Sequence, residues 1–194
     1  MEILVVDIET ANIDITKNIW DIKNCLICEI GVVNLNLDSG EIKSLFNKTC
    51  KDYNSPDPES WIFKYTSLTS KMVEESNNFE DFTDELQEIF IRKPVTAWGH
   101  NKDLRILTSF PRYLRTPSTF WDPKCVLTNF LQIPLDSGGG YKWPKVTEAF
   151  EYFYPNEKWQ QTHRANDDAK IEADIIFQAV EKWPILKNEW KQFV

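Results

Sequence analysis

Residues 3–9, Ile-Leu-Val-Val-Asp-Ile-Glu, combine an apolar run with two acidic side chains at its end. The run over 3–8 is typical of a buried β-strand. Residues two apart in a strand point to the same face, so Asp7 and Glu9 present their carboxylates side by side. Like charges at the edge of a buried sheet favour a bound cation, and oxygen ligands of this kind suit Mg²⁺ or Mn²⁺. The alternative is that both acids are simply the solvated end of the strand.

The patterns on the C-terminal side of this strand predict further strands and then helices. Residues 25–37 and 41–48 flank the turn Asp38-Ser39-Gly40 and predict a hairpin. Helices are predicted after Asn78, over 102–110, 124–132 and 145–154, and from Arg164 to Pro184, with short strands over 95–98 and between 110 and 124. Consecutive strands followed by alternation with helices predict an α/β fold with a mixed five-stranded sheet flanked by helices.

Composition restricts the class of protein before any motif is considered. The 194 residues are 42% hydrophobic and 27% charged, which excludes a disordered or low-complexity chain. No apolar run approaches the roughly 18 residues that a membrane span needs. Acids stand where a signal peptide would carry Lys or Arg, and four cysteines make no disulfide scaffold. We therefore expect a cytoplasmic protein with reduced thiols and no membrane association.

The net charge of −8 argues against non-specific binding of duplex nucleic acid by a basic surface. The charge is unevenly distributed, however, because residues 98–145 carry seven Lys or Arg against three Asp. That excess of positive charge makes the segment a candidate for phosphate contacts. The alternative is that these are ordinary surface cations.

A second candidate acid, Asp103, follows the short strand predicted over 95–98. It closes the run Trp98-Gly99-His100-Asn101-Lys102-Asp103 at a strand-to-helix transition. Open α/β sheets tend to bind ligands at such transitions. The alternative is an acid at a helix N-terminus that is favoured only by the helix dipole.

The third motif, His163-Arg164-Ala165-Asn166-Asp167-Asp168-Ala169, opens the last predicted helix. On one continuous helix His163 and Asp168 would lie on different faces. For both to serve one site, His163 must sit on the preceding loop and Asp168 on the first turns. An imidazole there can titrate near neutral pH. The alternative is an exposed loop histidine and an ordinary first-turn acid.

The three motifs together, in this order, resemble the DEDDh group of 3′→5′ exonucleases, the DnaQ-like branch of the ribonuclease H-like superfamily. Glu29-Ile30-Gly31-Val32-Val33 resembles the second strand of that family, and Leu68-Thr69-Ser70-Lys71-Met72-Val73 resembles its segment "G-I-T-x-x-M-V". The resemblance implies a ribonuclease H-like fold, with an exonuclease domain over 1–184 and a C-terminal tail over 185–194.

The resemblance also implies the chemistry of the site. The family's four metal-binding carboxylates correspond to Asp7, Glu9, Asp103 and Asp168, and its general base to His163. Two Mg²⁺ or Mn²⁺ ions about 4 Å apart would clamp the scissile phosphate. In the family the apolar residue of "G-I-T" lies against the terminal nucleotide, which nominates Leu68. Thr10, directly after the first two acids, is a candidate for a backbone contact.

Four further residues are candidates for substrate contacts because of their charge or aromatic ring. Arg164 and Lys142, together with Lys145, are the first candidates for phosphate contacts. Trp143, next to the glycine-rich loop 136–140, is the candidate for stacking on bases.

The sequence thus predicts an exonuclease that releases nucleoside 5′-monophosphates from the 3′ ends of single-stranded RNA or DNA. One alternative is a binding module of the same fold that has lost turnover. Another is a proofreading subunit with low substrate affinity of its own. Protein partners are not predicted.

Overall fold

A central sheet of four strands organises the computed structural model, which describes residues 1–17, 21–116 and 118–189. The strands are β1 (Glu2–Asn12), β2 (Cys25–Asn36), β3 (Ile42–Thr49) and β4 (Val95–Thr96). Their order is β3-β2-β1-β4, with β1 antiparallel to β2, β2 antiparallel to β3, and β4 parallel to β1. The sheet is therefore mixed, as the sequence predicts, and its first three strands include the predicted hairpin.

The predicted number of five strands is wrong for the described residues, where the sheet has four. A single parallel bridge between Val95 and Thr119 stands at the place of the fifth strand. The Phe120 N–H donates to the carbonyl oxygen of Val95 at 2.9 Å. Because β4 has only two residues, it offers too little edge for a longer ladder.

Eight α-helices occur in the described part of the chain. They are α1 (Trp61–Tyr65), α2 (Ser70–Glu74), α3 (Thr83–Phe90), α4 (Asp103–Thr108), α5 (Pro123–Leu131), α6 (Val146–Phe153), α7 (Ala165–Lys182) and α8 (Ile185–Glu189), and 3₁₀ turns cover Ile22–Asn24 and Phe79–Phe82. Helices α3 to α7 lie where the sequence predicts them, whereas α1, α2 and α8 were not predicted. None of the helices in the described ranges has the length and apolarity that crossing a bilayer requires.

Alternating residues of β1 separate the two halves of the core. Ile3 and Val5 pack with α5, α6 and α7, whereas Leu4 and Val6 pack on the other face with α3 and α4. Side chains alternate between faces along a strand. Asp7 and Glu9, which continue the odd-numbered series, therefore face the layer that contains α7.

The N-terminus of α7 lies directly on β2 at Gly31. A Cβ atom at Gly31 would lie 2.3–2.4 Å from backbone atoms of Ala165 and Asn166. Only glycine permits so close an approach of helix to strand. Since Gly31 pairs with Asp7 in the sheet, this contact places the first turns of α7 beside the end of β1.

The first residues of the predicted tail pack on the domain. Leu186 in α8 is 2% exposed and belongs to the same core cluster as α7. The indole N–H of Trp121 donates to the carbonyl oxygen of Leu186 at 3.0 Å. The domain boundary at 184/185 stays a prediction, and residues 190–194 lie outside the described part of the chain.

Candidate active site

Four acidic side chains from three elements converge at the end of β1. Asp7 and Glu9 come from β1, Asp103 from the first turn of α4, and Asp168 from the first turns of α7. All four are buried. The charges of Glu9, Asp103 and Asp168 all act to raise the pKa of Asp7. The structure thus brings together the four carboxylates nominated by the sequence.

Burial controls the protonation of these acids. Loss of water around Asp7 raises its pKa well above the ordinary value, and the neighbouring negative charges raise it further. Burial likewise raises the pKa of Asp103 to about 7, although Lys102 acts in the opposite direction. The pKa values of Glu9 and Asp168 are also raised, again chiefly by burial. A charged site of this kind needs compensating positive charge to be stable at neutral pH.

Three buried carboxylate oxygens at this place have no hydrogen-bond partner among the described residues. They are Oδ2 of Asp7, Oδ2 of Asp168 and Oε2 of Glu172. A buried polar oxygen without a partner is costly, and a divalent cation would satisfy oxygens of this type. The donor set therefore fits Mg²⁺ or Mn²⁺, both of which prefer carboxylate oxygens.

Asp168 is oriented by the loop that leads into α7. The backbone N–H and the hydroxyl of Thr162 both donate to Asp168 Oδ1, at 3.3 and 3.2 Å. One oxygen is thereby held by the protein, and Oδ2 is left available for a ligand.

His163 lies on the loop before α7, in the position that the spacing of the motif requires. Its backbone φ of 52° is left-handed and turns the chain into the helix. Nδ1 is 3.7 Å from Oε1 of Glu9, and the side chain is 30% exposed. The carboxylate of Glu9 raises the pKa of His163. A histidine nitrogen and carboxylate oxygens of Glu9 and Asp168 lie within 4.8 Å of one another.

The loop that carries Asp103 is fixed by the carboxylate of Asp122. This side chain caps α5 and also accepts hydrogen bonds from the N–H groups of Gly99 at 3.2 Å and His100 at 2.9 Å. Gly99 has a φ of 97°, which strongly favours glycine. The turn after β4 thus directs the chain toward Asp103.

A cleft of about 690 Å³ opens over the acids. Two exposed tryptophans line it, Trp61 at 52% and Trp143 at 59% exposure. Trp61 packs against the His163 ring at 4.8 Å in an edge-to-face arrangement. The Lys124 ammonium lies 5.5 Å from the centre of the Trp143 ring. The walls of the cleft therefore offer aromatic faces close to a catalytic candidate.

The structure places only some of the nominated substrate residues at the cleft. Thr10 and Trp143 line it. Leu68 does not, because it is completely buried in a small core cluster. Arg164 donates to the buried Glu29, with Nε 3.0 Å from both of its oxygens, and Lys142 forms an ion pair with Glu148. Neutralisation by these acids explains why Arg164 and Lys142 are not the free cations that the sequence suggested.

The cations that do line the cleft are Lys102, Arg105 and Lys124. All three belong to the positively charged segment 98–145, although Arg164, Lys142 and Lys145 were ranked first from the sequence. Arg112 of the same segment is buried in an ion pair with Asp52. The positive charge of segment 98–145 therefore indicates where cations line the cleft, but it does not identify which Lys and Arg residues do so.

Glu172 and Trp61 line the cleft, although the sequence does not predict them there. Glu172 lies four residues after Asp168, a spacing that places both on one helix face. That spacing could have identified Glu172 from the sequence. Trp61 lies in the five-residue helix α1, which is too short to show a periodic pattern.

Comparison with known families identifies the class of protein. The exonuclease family named RNase_T matches residues 4–110, more than half of the chain. The chain belongs to this exonuclease family. No curated protein matches it.

Solved structures of exonucleases share the fold. The nuclease domain of 3'hExo, a DEDDh family member bound to rAMP, has a TM-score of 0.68 at 17% identity, covering 94% of this chain and 92% of its own. A 3'-exonuclease that recognises the 3'-end of the histone mRNA stem-loop has a TM-score of 0.71 at 17% identity, with 94% and 82% covered. The resemblance to DEDDh enzymes is confirmed at the level of family and fold.

A more distant similarity is to a zinc-bound complex of E. coli ExoI with ssDNA. Its TM-score is 0.64 at 13% identity, and the match covers 95% of this chain but 42% of that one. This chain therefore spans less than half the length of that exonuclease.

Proposed function

We propose that this protein is a metal-dependent 3′→5′ exonuclease that removes nucleoside 5′-monophosphates from single-stranded RNA or DNA. One observation carries the proposal. Buried carboxylates from three elements meet at the base of an open cleft, and some of their oxygens have no partner in the part of the chain that the structure describes. Membership of the exonuclease family supports it.

Asp7, Glu9, Asp103 and Asp168 are the residues that would hold two Mg²⁺ or Mn²⁺ ions. Such ions supply Lewis acidity toward phosphate oxygens and lower the pKa of a water molecule. The residues contribute fixed orientation, because Asp7 and Glu9 are part of a paired strand and Thr162 holds Asp168.

His163 is the group that accepts the proton of the attacking water. Its Nδ1 faces Glu9, which leaves Nε2 as the accepting nitrogen. The carboxylate of Glu9 stabilises the imidazolium after it has formed, in agreement with the raised pKa of His163. The half-buried side chain on a loop gives the proton a path to solvent.

Substrate binding is assigned to the walls of the cleft. Trp61 and Trp143 present exposed rings on which single-stranded bases can stack without sequence preference. Lys102, Arg105 and Lys124 provide positive charge for phosphates, and Thr10, which lines the cleft next to Glu9, contacts the backbone of the substrate. The ssDNA in the ExoI complex supports a single-stranded substrate, and the rAMP bound to the 3'hExo nuclease domain agrees with release of mononucleotides.

The test uses RNA and DNA oligonucleotides of one sequence, each labelled at the 5′ end. They are digested side by side in EDTA, Mg²⁺ and Mn²⁺. We expect stepwise shortening from the 3′ end with either metal, release of nucleoside 5′-monophosphates, and no product in EDTA. The comparison also shows which sugar the enzyme prefers.

Two variants make the test specific. Asp7→Asn should abolish shortening, whereas Asp84→Asn, an exposed acid on α3, should not affect it. Internal cleavage, or equal activity of Asp7→Asn, would contradict the proposal. Binding of oligonucleotides without any shortening would instead favour a binding module of the same fold.

A further inference from the structure

A fifth acidic residue, Glu172, lies at the base of the cleft. It stands in α7 four residues after Asp168, so that both side chains lie on the same helix face. Only 2% of Glu172 is exposed, and it lines the cleft together with Asp7, Glu9 and Asp103. The four-carboxylate motif does not include this position.

The carboxylate of Glu172 is only partly compensated by its surroundings. The backbone N–H of Trp98 acts to lower its pKa, against the effect of burial. Oε2 of Glu172 is completely buried and has no partner within the described ranges, and the same is true of Asp7 Oδ2. Asp7 and Glu172 both line the base of the cleft, and the negative charge of Glu172 acts to raise the pKa of Asp7.

From this arrangement we propose that Glu172 is a fifth carboxylate of the metal centre, whose Oε2 helps Asp7 to hold a divalent cation. The inference rests on the proposed function, since it concerns the same metal site. A buried carboxylate oxygen without a donor is unfavourable, and a cation supplies the missing partner for both residues at once. Glu172 is thus a metal-binding residue and not part of the apolar core.

The charge balance of the site agrees with a fifth carboxylate. Two divalent cations neutralise four of the five negative charges. The remaining charge is offset by Lys102, which lines the cleft and lowers the pKa values of Glu9 and Asp103. A site of five acids is therefore electrically balanced once it is loaded.

The test is calorimetric titration of Mg²⁺ and of Mn²⁺ into the metal-free protein. The near-isosteric variant Glu172→Gln should bind the metal on the order of tenfold more weakly than wild type. Asp7→Asn is the positive control for loss of a ligand. Glu181→Gln is the matched control, because Glu181 is an exposed glutamate of the same helix, and its affinity should equal that of wild type.

Thermal unfolding provides a readout that does not depend on activity. In EDTA, Glu172→Gln should unfold at the same temperature as wild type or higher, because a buried like charge has been removed. Addition of Mn²⁺ should then raise its Tm by less than it raises that of wild type. Glu172→Leu, which replaces the carboxylate by an apolar side chain, should show the same reduced metal effect if Glu172→Gln folds poorly.

The outcomes separate the inference from the proposed function. If wild type binds metal and shortens oligonucleotides while Glu172→Gln binds metal equally well, only the role of Glu172 is overturned. If wild type takes up neither ion, the proposed function and the role of Glu172 both fail. Weaker binding in Glu172→Gln together with unchanged binding in Glu181→Gln supports the fifth carboxylate.

Discussion

At the scale of single residues, His163 differs from the acids around it because its side chain is partly exposed to solvent, whereas those acids are buried. Its Nδ1 lies 3.7 Å from Glu9 Oε1, so it is close to the site while standing on a loop. A general base contributes about 10²- to 10⁴-fold to a rate. We therefore expect His163→Ala to lower kcat by about that factor while metal affinity stays nearly unchanged.

The control for this prediction is the other histidine of the chain. His100→Gln removes an imidazole whose Nε2 lies 2.9 Å from the hydroxyl of Thr96, outside the residues that line the cleft. It should retain the wild-type kcat as long as its Tm shows that it folds. A His163→Ala variant that lost metal binding instead of turnover would assign His163 as a ligand.

A second prediction for a single residue concerns Trp143, on which we expect a base of the substrate to stack. A stacked base contributes about 1–3 kcal/mol of binding free energy. Trp143→Ala should therefore raise KM for a single-stranded oligonucleotide, while Trp143→Phe retains part of the affinity. Tyr152→Ala, which removes an exposed ring from α6, should leave KM unchanged. Equal KM values for Trp143→Ala and wild type would exclude a stacking role.

At the scale of elements, the contact between β2 and α7 sets the geometry of the site. Gly31→Ala would place a methyl group within 2.4 Å of the Ala165 backbone. Backbone cannot give way as a flexible side chain can, so the start of α7 must move, at a cost of roughly 1–3 kcal/mol in unfolding free energy. Asp168 would move with it.

We expect Gly31→Ala to lower the Tm and to weaken Mn²⁺ binding in the same protein. Gly140→Ala is the matched control, since a Cβ there meets only Leu135 Cδ1 at an ordinary 3.7 Å. Its stability and metal affinity should resemble those of wild type. Normal Mn²⁺ affinity in Gly31→Ala would show that this contact does not position the acids.

The same elements show which parts of the fold the sequence could predict. Strands β1 and β2 and helix α7 have long apolar patterns, and their positions agree with the structure. Helices α1, α2 and α8 have five residues each, too few to establish a helical period. The prediction of a fifth strand was wrong because strand pairing depends on the length of the neighbouring strand. A local sequence pattern does not contain that information.

Some features of the candidate site could likewise be predicted from the sequence, and others could not. Strand periodicity predicts that Asp7 and Glu9 share a face, whereas their convergence with Asp168 is implied only by the resemblance to the exonuclease family. The environment of Arg164 was not predictable, because its partner Glu29 is 135 residues away in the sequence. The tertiary structure is therefore required to decide which Lys and Arg side chains are available to bind phosphates.

At the scale of the whole molecule, the buried acids reduce the stability of the metal-free protein as pH rises. The pKa of Asp103 is about 7 in the folded protein, against an ordinary value of 3.8. Between these values the folded state keeps a proton that the unfolded state has lost. Raising the pH removes that proton from the folded state, so stability falls up to about pH 7 and then levels off. The raised pKa values of Asp7 and Glu172 act in the same direction.

Two histidines also titrate in this range, with opposite signs. The raised pKa of His163 adds to the loss of stability as pH rises, whereas the lowered pKa of His100 acts against it. The Asp103→Asn variant isolates the contribution of the carboxylate, because it leaves both histidines in place.

We expect urea unfolding in EDTA to show that wild type loses on the order of 2 kcal/mol between pH 5 and pH 8. Asp103→Asn should lose less over the same range, since asparagine has no proton to release. Mg²⁺ or Mn²⁺ should restore stability at pH 8, because a cation that binds the ionised acids binds only the folded state. Wild-type stability that rose steadily from pH 5 to pH 8 in EDTA would mean that these acids are already ionised in the folded protein at pH 5. In that case the site would not need bound cations to compensate its charge.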